Sequence, residues 1–61
     1  MSRYRDRLLA LRKAEHESVD SGTEHYICPW GSCFAVLDLY EMCNEGLQPE
    51  FTVFPDGTVL H

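Results

Sequence analysis

The sequence predicts an α+β domain of two helices and a small three-stranded sheet, mixed or antiparallel, in the order α-β-α-β-β. Three observations carry that expectation. Ser32–Gly46 is apolar at helical spacing between a capping serine and a terminating glycine. Ser2–Glu17 is a second amphipathic segment. The last twelve residues read as a hairpin.

The first helix is expected over Ser2–Glu17, with Ser2 as its cap and Tyr4, Leu8 and Leu11 as an apolar stripe widened by Leu9 and Ala10. Its charge order opposes the macrodipole, with arginines at the start and Glu15 and Glu17 at the end. Each exposed charge so placed costs a few tenths to about 1 kcal/mol. Ser18–Thr23 follows as a loop by its Ser, Asp and Gly content. Thr23–Cys28 alternates and is rich in β-formers, so it is a strand, and Pro29–Gly31 turns the chain.

The central helix would run from Ser32 to Gly46. Cys33, Val36, Leu37, Tyr40 and Cys43 recur along it, and Asp38, Glu41 and Glu45 form an acidic stripe. A right-handed crossover through it would set the strands before and after it parallel. Glu50–Phe54 and Thr58–His61 then pair through Phe54-Pro55-Asp56-Gly57, which suits a type I turn with a glycine bulge.

Sixty-one residues make one domain, 1–61, divided into a basic helix (1–17) and an acidic α/β body (23–61). A core of this size rarely supplies more than about 3–5 kcal/mol. No apolar run reaches the length of a membrane span, no signal-peptide core follows Met1, and three cysteines are an odd number. A cytosolic protein is expected, off the membrane.

Charge is sharply segregated. Residues 1–13 carry all five bases (Arg3, Arg5, Arg7, Arg12, Lys13) and Asp6, for +4; residues 14–61 carry nine acids and no base, for −9; together they give the net −5. Direct nucleic-acid binding by the body is disfavoured, since counterion release needs Lys and Arg.

These features point to a non-catalytic module that docks on a larger protein. The expected contact residues are Asp38, Glu41, Glu45, Trp30 and Tyr40, facing a basic, nucleic-acid-handling surface. Trp30 lies between Pro29 and Gly31, and tryptophan is enriched at binding hot spots. Chains of this size and acidity fit the class of phage and mobile-element inhibitors, anti-CRISPR-type proteins among them, an association of class rather than of residues. Arg5, Arg7 and Arg12 would secure a homodimer or a second contact.

An enzyme is not expected, because so short a chain hardly encloses a pocket for a paired acid or nucleophile. Two alternatives stay open. Zinc could be held by His25, Cys28 and Cys33, with an acid or His61 completing the set. Cys43 would lie about 15 Å from Cys33 on a shared helix. The Arg-rich first helix could instead bind nucleic acid.

Overall fold

The computed structural model describes residues 2–61; Met1, the first residue of the expected domain, lies outside them. The elements are β1 (Ser2–Tyr4), α1 (Arg7–Ser21), β2 (His25–Trp30), β3 (Cys33–Asp38), α2 (Leu39–Glu45), β4 (Phe51–Val53) and β5 (Val59–Leu60). They build one five-stranded antiparallel sheet in the order β1-β3-β2-β4-β5. The expected three-stranded sheet and the order α-β-α-β-β are therefore incorrect.

The decisive difference lies in Ser32–Gly46. Its first half is extended: β3 pairs with β2 along its whole length, from Trp30↔Cys33 to His25↔Asp38. Gly31 and Ser32 form the connecting two-residue turn. Gly31 has φ +61° and Ser32 does not share a positive φ, the type II′ pattern that matches strand twist. β3 is flanked by β1 and β2 and packed on both faces, so Phe34-Ala35-Val36-Leu37 needs no polar alternation. Only Leu39–Glu45 is helical, and the anticipated parallel crossover is absent: both neighbours of β2 run antiparallel to it.

The N-terminal segment differs for a related reason. Asp6, not Ser2, caps α1, its side chain accepting from Leu8 N at 2.9 Å. The residues ahead of it pair with β3 instead, Ser2↔Val36 to Tyr4↔Phe34. At the other end α1 continues through the expected loop to Ser21, where Gly22 (φ +70°) donates to Ser18 O at 2.9 Å. The C-terminal hairpin pairs Thr52↔Leu60 and Val53↔Val59. Phe54 N donates to Thr58 O at 2.9 Å, and Gly57 N donates to Phe54 O at 3.0 Å.

Strand alternation divides the interior into two clusters. Ile27, Val36, Phe51 and Val53 face α1, which presents Ala10 and Ala14 to them. Cys28, Ala35 and Leu37 face the other way, toward Tyr26, Trp30, Met42 and Leu47. α1 thus packs through a stripe of small residues, Ala10-Ala14-Ser18, rather than through Leu8 and Leu9, which are exposed. Small side chains at i, i+4 and i+8 let the helix axis lie close to the sheet.

Candidate functional site

α2 begins where β3 ends. Asp38 is the N-cap: its Oδ1 accepts from Glu41 N at 2.8 Å, while Glu41 Oε1 accepts from Asp38 N at 3.2 Å. This reciprocal pair satisfies two backbone donors. It also gives two of the three acids of the expected stripe a structural task. Asp38 and Glu41 are half-buried, and Glu45, the last residue of α2, is exposed. With Met42 turned toward the sheet, Leu39 (52% exposed) and Tyr40 (75% exposed) stand in solvent. A shallow groove lies beside them, lined by Thr23, Glu24, Asp38, Leu39 and Tyr40. Glu24 and the groove's position on the α1–β2 connection were not legible, since the alternation places Thr23 and Glu24 in the strand that in fact begins at His25. Nearby, burial first, then the negative charges of Glu24 and Cys43, push the Tyr26 hydroxyl above its ordinary range.

Trp30 is not part of this surface. It pairs with Cys33 at the turn end of the β2–β3 hairpin, whereas Asp38 pairs with His25 at the opposite end. At about 3.3 Å per residue those ends are roughly 16 Å apart. Trp30 is half-buried, and the Arg3 guanidinium lies 5.3 Å from its ring centroid, a cation–π contact from β1.

The remaining arginines separate in the same way. Arg7 lies over Phe34 (5.0 Å) and Phe51 (5.6 Å), with its Nε 3.3 Å from Glu50 Oε1, so it closes the open end of the α1-facing cluster. The His61 ring packs edge-on against Phe51 at 4.7 Å. Arg5 and Arg12 are exposed, Arg5 ahead of α1 and Arg12 on its outer face.

The suggested zinc ligands are not brought together. His25 and Cys28 are an odd number of residues apart on one strand, so they point to opposite faces of the sheet. Cys33 begins a strand rather than a helix, which removes the shared-helix argument for its separation from Cys43. Among the described residues, no three His, Cys, Asp or Glu side chains are placed to hold a metal. All three cysteines are free thiols; Cys28 is buried, and that burial raises its thiol above the ordinary value.

His25 has a different role, one the sequence reading did not anticipate. It is 7% exposed, on the α1 face, and Ser18 of α1 is fully buried beside it. Ser18 Oγ donates to Val53 O at 3.0 Å, so its oxygen is left to accept from His25 Nδ1 at 3.2 Å. Nδ1 also faces Thr23 O at 3.2 Å, and hydrogen-bond logic therefore assigns the proton to Nδ1. Nε2 lies 3.6 Å from Glu17 Oε2.

By residue type, Glu17, His25 and Ser18 suggest a nucleophile and its base, but the proton is routed the other way. The hydroxyl proton goes to a carbonyl, the imidazole donates to the hydroxyl, and the oxygen has no access to solvent. The group ties α1 to β2 and β4. The available signal was Ser18 continuing the Ala10-Ala14 spacing, which places a hydroxyl on the buried face.

No known family model, curated protein or solved structure matches the chain.

No helix among the described residues is long and apolar enough to cross a membrane. The groove at the start of α2 combines an exposed aromatic ring, an exposed aliphatic side chain and two carboxylates.

Proposed function

We propose that the protein is a non-catalytic binding module that receives a basic, partly apolar segment of a larger protein at the groove formed by Thr23, Glu24, Asp38, Leu39 and Tyr40. The observation that supports this reading is Tyr40, three-quarters exposed in a helix whose neighbour Met42 is turned inward. Carboxylates of Glu24 and Asp38 lie beside it, in a body that has no Lys or Arg after Lys13. A phenol ring supplies contact area at low entropic cost, and the carboxylates supply steering and register.

Basic surfaces of this kind are those that nucleic-acid-handling proteins present to phosphate. Occupying one would block it, so inhibition is the function this reading implies. Three free thiols, one of them exposed on Cys43, fit a reducing compartment such as the cytoplasm.

Isotope-labelled protein titrated with a peptide of alternating arginine and leucine tests the reading. Amide shifts should concentrate at residues 23–24 and 38–45 and weaken as salt rises. Tyr40→Ala together with Glu24→Gln should abolish them. Shifts centred on Trp30, or unaffected by the double variant, would refute the groove as the contact.

A further inference from the structure

α1 is charged in the reverse of the order its own dipole favours: its first turn holds no acid and its last turn no base. Arg7, Arg12 and Lys13 occupy the N-terminal half, and Glu15, Glu17 and Asp20 the C-terminal half. The face turned away from the sheet also carries exposed apolar side chains. Leu8 is 56% exposed, Leu9 50% and Val19 65%, with Arg12, Glu15 and His16 between them around a shallow depression. At 100° per residue these six side chains fall on one continuous side, opposite Ala10, Ala14 and Ser18.

Two charges on that side, Arg12 and Glu15, differ from the charges around them. Lys13 reaches Glu17 at 3.4 Å and His16 reaches Asp20 at 3.5 Å, while among the described residues neither Arg12 nor Glu15 makes an ion pair within its own chain.

We propose that this face docks on a second copy of the chain, α1 against α1, antiparallel about a two-fold axis through the middle of the helix. That axis crosses at the level of Ala14, the midpoint of Arg7–Ser21, on the opposite side of the helix from its side chain. Antiparallel pairing about it sets Leu8 and Leu9 of one protomer against Val19 of its partner, and Arg12 against the partner's Glu15 and His16. Each contact occurs twice, as an isologous interface requires. The basic half of each helix then lies on the acidic half of the other, and the two dipoles run opposed. The charge order that is unfavourable within one helix becomes favourable between two. A parallel pair would set Arg12 on Arg12 and is disfavoured.

A pair of helices about 22 Å long is a small interface, so the dimer is concentration-dependent and salt-sensitive. The sheet separates this face from α2, so a dimer would carry its two α2 grooves on its outer sides.

Sedimentation analysis of the full chain from micromolar to millimolar concentration tests the proposal. The mass should rise from 7.0 kDa toward twice that value as concentration increases. Arg12→Glu and Glu15→Arg should each weaken association about tenfold or more by placing like charges across the axis, and the combined exchange R12E/E15R should restore it. Val19→Asp should leave a monomer with an unchanged far-ultraviolet spectrum. A wild-type chain that stays monomeric at millimolar concentration overturns the proposal. So does a dimer indifferent to the single reversals, or one that the double exchange does not restore.

Discussion

The two faces of the sheet are covered unequally. On one side the fifteen-residue α1 lies over Ile27, Val36 and Val53, all at most 1% exposed. On the other the seven-residue α2 covers Cys28, Ala35 and Leu37 but leaves Tyr26, Trp30, Met42 and Leu47 half-buried. The contrast separates two tasks. The α1 face has branched side chains interlocked with small ones and a buried hydrogen-bonded group at its end. The α2 face has a few buried residues and an exposed ring at the helix start. The first holds the fold together, and the second leaves surface available.

Truncation on each face is the strongest way to break this contrast. Ile27→Ala should cost about 2–5 kcal/mol, comparable to the whole stability of so small a domain, and leave the chain largely unfolded at room temperature. Met42→Ala, half-buried on the sheet-facing side of α2, should cost clearly less and leave a cooperative urea transition. Equal losses in the two denaturation curves would erase the distinction.

The polar end of the α1 face gives the next effect. Ser18→Ala removes the donor to Val53 O and one acceptor of His25 Nδ1, and should cost about 1–3 kcal/mol. Hydrogen exchange should quicken at β4 in that variant before it quickens at β3. On the other face, Asp38→Ala deletes the N-cap of α2 and should cost about 0.5–2 kcal/mol. Its exchange should quicken over Leu39–Glu45 and leave α1 protected.

The smallest effect is alkaline. Burial raises the Cys28 thiol and the Tyr26 hydroxyl, so the folded chain holds both protons more tightly than the unfolded one. Stability is therefore full below the ordinary thiol range and declines as pH rises through it toward the raised folded values. Urea midpoints measured upward from neutral pH should fall, and Cys28→Ala should flatten the thiol part of the decline.

How much of this was legible follows from where the signals were local. The hairpin at Phe54–Thr58 and the glycine ending α2 were readable, because turn and cap chemistry is carried by adjacent residues. β3 was not. A central strand packed on both faces loses its alternation, and Phe34-Ala35-Val36-Leu37 is then indistinguishable by period from a buried helix. The helix start was written one step away, in Asp38-x-x-Glu41, a capping box that reads equally as two members of an acidic stripe.

The expected contact residues do not share one surface. Tyr40 and Asp38 share the groove, Trp30 lies at the far end of the hairpin, and Glu24 came from a segment with no motif. His25 looked like a ligand because its buried partner, Ser18, lies in a segment that reads as a loop rather than as the last turns of α1.

Pro29 carries one more consequence. It lies on β2 beyond Ile27, where β4 has already stopped pairing, and it has no N–H to offer along that open stretch. A foreign strand sliding into the notch would find no donor there, and the outer ribbons, three residues in β1 and two in β5, are too brief to template another. The places where the ladder ends therefore offer little purchase for edge-to-edge pairing.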